Sequence, residues 1–414
     1  MNDVRREPEV ADSPLRYRDF TLLWIGFFVS QIGSQMQIVA VAWQVYRLTN
    51  DPLALGALGL ARVLPVIAFG VFGGVVADVV DRRRLLIATQ TAMMATSLGL
   101  FALTTAGRVT VPILYGFCLL SGSAVALSNP ARQAMIPTLV PESVLARALG
   151  FSVTSWQLAT VVGPTVGGLV IAAHGPSLVY LIDGLSFLAI IASLIAIRSR
   201  GIAAPEARAD WQSVVEGFRF LRRTPILLAL MLLDFCGTFF AGAMLLLPIF
   251  ADQLLAVGPR GLGFLFAAPS VGSAIVALTI AVKGAPPLSG ATVIGSVALY
   301  GVATAAFGAS SSFPVALACL TIAGAADGVS TVVRQTLRQL LTPDELRGRM
   351  TGVSMIFFMG GPQLGELEAG VVGRLLGVRA SVVLGGIACS ACALAFAVFA
   401  SGLRRFRYPA RATS

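Results

Sequence analysis

Long apolar runs separated by short polar breaks fill this chain from residue 20 to residue 402, and the length of each run decides what it is. A helix needs roughly 20 apolar residues to cross the hydrocarbon core of a bilayer. Runs of that size lie at 20–46, 54–80, 85–105, 111–139, 146–173, 178–197, 226–250, 261–282, 291–308, 313–341, 348–376 and 380–402. The pattern predicts an all-α membrane protein of twelve transmembrane helices, with both termini on one side.

Most breaks are tiny, such as 107–110 and 174–177. Consecutive spans must therefore lie side by side and antiparallel. The one sizeable connection, 198–225, interrupts the apolar pattern with Pro205, Glu206, Asp210 and several arginines. Within it Trp211, Val214, Val215, Phe218 and Leu221, with Arg219, Arg222 and Arg223, suit an amphipathic helix lying at a membrane interface. The expected organisation is an N-terminal tail 1–19, a six-helix bundle 20–197, the connecting loop 198–225, a second six-helix bundle 226–402 and a C-terminal tail 403–414.

The two halves match in register. Gly33 pairs with Gly237, Gly59 with Gly263 and Pro65 with Pro269, each 204 residues apart. Arg132-Gln133 and Pro141 recur as Arg334-Gln335 and Pro343 after 202, and Gly163-Pro164-x-x-Gly167 recurs as Gly361-Pro362-x-x-Gly365 after 198. Two related, pseudo-symmetric bundles are the simplest reading, and paired repeats of this kind put a substrate site between them near mid-membrane.

Composition agrees with a lipid environment. Hydrophobic residues make up 56% of the 414 and charged ones 12%, against about 25% charged in a soluble domain. The net charge of +10 would suggest nucleic acid in a soluble protein. Here the positive residues sit in loops between apolar runs and read as topology signals and lipid-headgroup contacts, so no nucleic-acid partner is expected. Of the 30 basic residues, 22 fall on the side of the termini, three lie within spans (Arg62, Arg132, Arg334) and five on the other side (Arg47, Arg108, Arg260, Arg374, Arg379). Short loops rich in Arg and Lys stay cytoplasmic, which puts both termini in the cytoplasm. The segment 1–19 mixes acids and arginines without an apolar stretch and reads as a cytoplasmic tail, not a signal peptide.

The turn after the second span reads Gly73-Gly74-Val-Val-Ala-Asp78-Val-Val-Asp81-Arg82-Arg83-Arg84. With twelve spans in two halves and a long central loop, it resembles the major facilitator superfamily, over essentially the whole chain. That family's signature at this turn is approximately Gly-x-x-x-Asp-Arg-x-Gly-Arg-Arg. Gly74, Asp78, Arg82 and Arg83 match it, while Val79 and Asp81 stand where the family usually has Arg and Gly. The fifth-span run Gly163-Pro164-Thr165-Val166-Gly167-Gly168, with Ala159 four residues before it, is similar to the Gly-x-x-x-Gly-Pro-x-x-Gly-Gly motif of the superfamily's antiporters. Small residues there let helices approach closely, and Pro164 frees a carbonyl and bends the helix.

A closer likeness is to the bacterial subgroup of transmembrane secretion effectors that contains the enterobactin exporter and related drug and secondary-metabolite efflux proteins. It is carried by Asn129-Pro130-Ala131-Arg132-Gln133-Ala134-Met135-Ile136-Pro137, by Ile182-Asp183-Gly184-Leu185-Ser186-Phe187 and by Val215-Glu216-Gly217-Phe218-Arg219-Phe220-Leu221. The resemblance implies alternating access, with Gly74, Asp78, Arg82, Arg83, Gly163, Pro164, Gly167 and Gly168 as gating residues. Asp78 would sit against the N-terminus of the eleventh span near Gly348, where a helix dipole favours negative charge. Many of the superfamily's antiporters carry an arginine in the outer third of the fourth span, whereas the run from Tyr115 to Ser121 has no base.

A charge at the centre of a span costs about 2.5 to 3.5 kcal/mol, so each one needs a reason. Those here are Arg62, Asp183, Asp234, Asp327, Arg334, Glu366 and Glu368. In the superfamily the first, fourth, seventh and tenth spans line the cavity, which singles out Asp234 and Asp327 for proton coupling. Asp327, Thr331 and Arg334 fall at i, i+4 and i+7, one stripe of a helix. They are read as a carboxylate that exchanges a proton with the cavity, or alternatively as a fixed ion pair clamping helices. Arg62, Arg132, Asp183, Glu366 and Glu368 are expected to serve structure. Gln31, Ser34, Gln35 and Gln37 of the first span, with Thr331, suit a cavity that offers hydrogen bonds without charge. Their alternative is interhelical bonding, worth about 0.6 kcal/mol on average.

Enzyme readings find little support. The single histidine, His174, falls in a short loop opposite the termini, so no His-based triad or His-rich metal site can be built. Cys389-x-x-Cys392 has redox spacing but no basic neighbour to stabilise a thiolate, and reads as packing. There is no phosphate-binding loop. No cofactor and no metal are expected. The expectation is a proton-coupled exporter of small amphipathic organic compounds, such as siderophores, drugs or secondary metabolites, acting as a monomer in the bacterial inner membrane. An importer or uniporter, or a transport-inactive scaffold or sensor, are the alternatives.

Overall fold

The computed structural model describes residues 13–70, 81–198, 211–343 and 346–408. Among them are twelve long helices: α1 (Arg18–Thr49), α2 (Pro52–Gly70), α3 (Arg82–Thr105), α4 (Val111–Met135), α5 (Glu142–His174), α6 (Pro176–Ala196), α7 (Pro225–Phe240), α8 (Gly258–Lys283), α9 (Gly290–Ala309), α10 (Phe313–Leu341), α11 (Arg347–Leu376) and α12 (Val378–Phe399). Ten helical stretches are long and apolar enough to cross a membrane among the described residues, counting Pro225–Leu254 as one. The described apolar part of α2, Pro52–Pro65, is shorter. The architecture is thus an all-helical, multi-pass membrane fold, with ten of the expected twelve spans qualifying by length and composition. His174 is the last residue of α5 and not part of a loop, because that helix runs to its C-terminal Gly175.

The internal repeat of the sequence is also a repeat in space. α1 packs on α5 and α6, α3 on α4 and α6, and α2 on α4. In the second set α7 packs on α11 and α12, α9 on α10 and α12, and α8 on α10. Even single contacts recur. Gly122 of α4 sits on Pro65 of α2, and 202 residues later Gly324 of α10 sits on Pro269 of α8. The amphipathic helix expected in the connection is present as Trp211–Arg223, with Leu221 buried against the second set and Phe218 6.4 Å from Phe357 of α11.

The two sets meet where α2 lies against α11 and α5 against α8. Small residues allow the approach. A Cβ on Gly370 would stand 2.7 Å from the Pro52 carbonyl, and one on Gly168 would stand 2.8 Å from the Gly263 Cα. These contacts lie in the half of the molecule away from the termini, here called the distal half. One apolar core spans both sets there, joining Met36 to Tyr46 of α1 with Leu245 to Phe250 and with Leu262 and Leu265 of α8. In the half nearer the termini each set has a core of its own, around Phe20, Leu86 and Met135 in the first and Leu227, Val293 and Val353 in the second. Among the described residues, the two sets share one apolar core distally and have separate cores on the terminal side.

The seventh span is where the continuous helix expected over 226–250 gives way. Regular α-helix stops at Phe240, and after Ala241 to Ala243 the chain resumes as a 3-10 turn (Met244–Leu246), one turn of α-helix (Leu247–Ile249) and a π-turn (Phe250–Leu254). Gly242 at the break is pressed against α11, where an added Cβ would meet the Thr238 carbonyl at 2.7 Å and the Pro362 carbonyl at 3.2 Å. A helix broken inside a bundle leaves backbone groups without intrahelical partners, which must be satisfied from elsewhere.

Candidate functional site

The second set carries a compact ionic cluster. Arg334 of α10 pairs with Asp234 of α7, and its Nη2 lies 4.0 Å from Asp327, two turns earlier on its own helix. Thr331, between them on the same stripe, accepts a hydrogen bond from Arg334 Nη2 at 3.0 Å. The helical stripe read from the sequence is therefore a real face, and it recruits a second acid from α7 that spacing could not reveal. Exposure separates the two carboxylates: the side chains of Asp234 and Arg334 are each 11% exposed, and that of Asp327 43%. Asp234, Thr331 and Arg334 line a cavity of about 200 Å3 together with Arg338, Ser354 and Phe357. Asp327 lines a different cavity of about 250 Å3, bounded by the α7 break at Ala241 and Ala243 and by Tyr300 and Thr304 of α9. The guanidinium thus bridges acids that face two separate spaces.

The corresponding region of the first set is a narrow aromatic slot. Trp24, Phe27 and Phe28 of α1, Arg132 of α4 and Trp156 of α5 line it, with Gln31 at one edge. Arg132 stands over the Phe27 ring at 5.2 Å.

The profile of the transmembrane secretion effectors matches residues 10–411. The chain belongs to the transmembrane secretion effector family. Its fold is correspondingly that of the major facilitator transporters, and its family members are transporters, not enzymes. The enterobactin exporter EntS of Escherichia coli O1:K1 is similar at 25% identity over 392 residues, covering 94% of this chain and 93% of the relative. Two solved structures have the same fold. A bacterial homolog of the human lysosomal transporter Spinster, inward-facing and unoccupied, aligns with TM-score 0.75 at 15% identity over 95% of this chain and 99% of that one. A bacterial homologue of the iron transporter ferroportin, also inward-facing, aligns with TM-score 0.67 at 17% identity over 91% and 98%.

Within this family member, the other residues singled out in the sequence are distributed as follows. Asp183 of α6 is fully buried and accepts hydrogen bonds from Ser97 of α3 at 2.5 Å and from Ser34 of α1 at 3.4 Å, while Gln37 donates to Ser97 at 2.8 Å. Ser34 and Gln37 are therefore engaged in a network inside the first set, and Gln35 is buried against Gly163 of α5. Gly167 lies against Met36 of α1, and Gly168 against α8, so the fifth-span motif touches both its own set and the other. The backbone carbonyl of Pro164 meets Gly263 of α8 across the seam.

Glu366 of α11 accepts the backbone N–H of Leu245 at 2.8 Å, which supplies a partner at the α7 break. Arg62 of α2, whose pairing the sequence left open, is half-buried. Glu368, two residues further on, is half-buried on another face. In the charged turn, Arg82 donates to the Ala134 carbonyl at 3.3 Å and Arg83 to that of Ile195 at 2.7 Å. Asp81, which replaces the family's glycine, caps α3 by accepting from the backbone of Arg83 at 2.9 Å and Arg84 at 3.2 Å. Gly74 and Asp78 lie outside the described residues.

One group of polar residues went unnoticed in the sequence. Tyr46 of α1 donates to Asp252 at 2.6 Å, and Gln253 donates to Asn50 at 2.7 Å and to Tyr46 at 3.3 Å. Both acceptor-bearing segments are irregular. Asn50 is the left-handed C-cap of α1, and Asp252 and Gln253 sit in the π-turn that ends the seventh span. The positive φ of Asn50, 49°, is one that asparagine tolerates better than most residues, and the only signal in the sequence was an asparagine directly after the first helix. Nearby, Arg374 of α11 lies 3.7 Å from Asp51. Together these contacts tie the two sets at the distal face.

Proposed function

We propose that this transporter is a proton-coupled exporter of small amphipathic organic compounds, working by alternating access between two six-helix bundles (20–197 and 226–402) joined by 198–225. The observation that carries the reading is Arg334 shared between Asp234 and Asp327. Two carboxylates and one guanidinium reach neutrality by holding one proton, and a lipid-embedded site favours neutrality. Cargo entering the cavity beside Asp234 competes for Arg334, while Asp327 faces the second cavity. A rearrangement of the arginine between its two acids then links cargo to proton.

The basic-residue bias supports cytoplasmic termini in a bacterial inner membrane. With that orientation, two sets that share a core distally and have separate cores on the terminal side are open to the cytoplasm, the state in which an exporter loads cargo. Gly168 and Gly263 on one side, and Gly56, Gly59 and Gly370 on the other, give the smooth seams along which the bundles rock. Similarity to an enterobactin exporter supports a siderophore-like or drug-like cargo and outward direction. The protein works as a monomer, since each chain holds both bundles.

The test is transport in inverted vesicles energised by a proton gradient, using enterobactin and ethidium as probes. Gradient-dependent accumulation of at least one probe, with proton release on its addition, is the expected result. Failure of both probes to accumulate with inserted, monodisperse protein present overturns the reading.

A further inference from the structure

The internal repeat sets two arginines in equivalent places and treats them differently. Arg132 and Arg334 are 202 residues apart in equivalent helices, Arg132 in the last turn of α4 and Arg334 about two turns before the end of α10. Leu23 and Leu227, and Phe27 and Met231, are 204 apart and line the two equivalent pockets. At the same offset Asp234, the partner of Arg334, corresponds to Ser30. Ser30 is buried and spends its hydroxyl on the Phe27 carbonyl at 3.1 Å. Arg132 therefore lacks the acid its counterpart has, and among the described residues no carboxylate lies within ion-pair distance of it. What stands beneath it instead is the Phe27 ring. A cation inside a span normally finds an anionic or carbonyl partner.

The walls around Arg132 are aromatic and fixed. Trp24 stacks on Phe28 with centroids 5.9 Å apart, meets Phe151 edge-on at 5.7 Å and donates its indole N–H to the Phe151 carbonyl at 3.2 Å. Ser152 and Ser155 donate to carbonyls of their own helix, at 3.2 and 2.8 Å, so they turn lone pairs, not protons, towards the slot. Arg132, Gln31 and the indole N–H of Trp156 are left as its donors. The free space is about 30 Å3. At about 10–15 Å3 per water-sized group that is two or three such groups, enough for a carboxylate or phenolate but not for a whole cargo.

We propose that this slot is a cargo subsite, in which Arg132 binds the anionic group of an aromatic acid while the ring, too large for the slot, rests at its mouth against the exposed Trp156. The proposal rests on the transport reading above and deepens it. A guanidinium offers a carboxylate two parallel N–H donors, and a planar ring suits an indole face. In the second bundle the equivalent arginine, Arg334, is already paired with Asp234, so the first bundle holds the arginine of the pair that has no acid among the described residues.

The test is equilibrium binding of radiolabelled salicylate to the full chain in nanodiscs of neutral phosphatidylcholine. Saturable binding is expected, displaced by benzoate and not by benzylamine or cyclohexanecarboxylate. Arg132→Gln should weaken it by about 10- to 100-fold, the range of a lost charge-assisted hydrogen-bond pair, and Arg132→Lys by less. Because no carboxylate among the described residues pairs with Arg132, Arg132→Gln should leave the melting temperature unchanged or raised. Trp156→Leu should weaken salicylate while keeping benzylamine excluded. Absence of saturable binding, equal binding by Arg132→Gln, or a lowered melting temperature with it, overturns the proposal. Equal displacement by cyclohexanecarboxylate also overturns it, as the ring would then not be read. A third arm uses nanodiscs containing phosphatidylglycerol: if that lipid displaces salicylate through Arg132, the slot is a lipid-headgroup site and the proposal fails. Salicylate binding through Arg132 in a protein that moves no solute would leave the slot standing and sink the transport reading. Transport of enterobactin or ethidium with no salicylate binding would do the reverse.

Discussion

The carboxylate of Glu366 accepts the backbone N–H of Leu245 at 2.8 Å and so closes the broken end of the seventh span from a different helix. The break is maintained by tertiary contact: Gly242 fits against Pro362 and Gly365 of α11, and Glu366 follows in the same turn. Glu366→Ala leaves a buried N–H without a partner, which costs about 1–3 kcal/mol. We expect a melting temperature several degrees below that of the parent protein. Glu366→Gln keeps an acceptor and should lose much less, and thermal unfolding of both variants in the same detergent checks the difference.

Arg334 holds Asp234 and Asp327 together, and its removal should be worse than removal of either acid. Breaking a buried ion pair from one side costs about 3–5 kcal/mol because a charge is left behind. Arg334→Gln is expected to express poorly or unfold early. Asp327→Asn keeps the Arg334 to Asp234 pair, so folding and probe binding should survive while proton-linked accumulation disappears. Full accumulation by Asp327→Asn in energised vesicles would remove Asp327 from the coupling step.

At the distal face, the Tyr46 to Asp252 bond joins the two sets at 2.6 Å. Tyr46→Phe deletes a hydrogen bond to a carboxylate, worth about 1.5–3 kcal/mol, and should raise the distally open population by about tenfold or more. Arg374 and Asp51 are 59% and 31% exposed, and exposed pairs contribute about 0.2–1 kcal/mol. Arg374→Ala should therefore shift the equilibrium little. Spin-label distances between the distal ends of α2 and α11 would report both changes.

The seam between α5 and α8 can be tested by filling it. A Cβ on Gly168 would stand 2.5 Å from the Pro259 carbonyl and 2.8 Å from the Gly263 Cα, so backbone must move to admit it. Gly168→Leu should disfavour the distally closed state and slow transport without unfolding either set. Gly116, which has nothing within 4 Å of an added Cβ, is the control, and Gly116→Leu should transport normally. Distal cysteine labelling should rise in the first variant and not in the second.

Hydrophobicity and turn lengths are local properties, so the helices, the tiny connections, the amphipathic Trp211–Arg223 and the two-fold repeat could all be read along the chain. The stripe Asp327, Thr331, Arg334 was legible for the same reason, because helical periodicity alone puts those residues on one face. The involvement of Asp234 was suggested by the family's cavity-lining helices, but its pairing with Arg334 joins positions 100 residues apart. No local rule could supply that. The break in the seventh span was marked only by Gly242 and Pro248, both of which a transmembrane helix also tolerates, and it is packing against α11 that accompanies the interruption. Ser34 and Gln37 looked like cavity residues by polarity, and only the placement of α3 and α6 decided that they face Asp183. Periodicity specifies which residues share a face of one helix. Which neighbour that face meets, and hence which charges find an acid, as Arg334 does in Asp234, is settled by the packing of helices far apart in the chain.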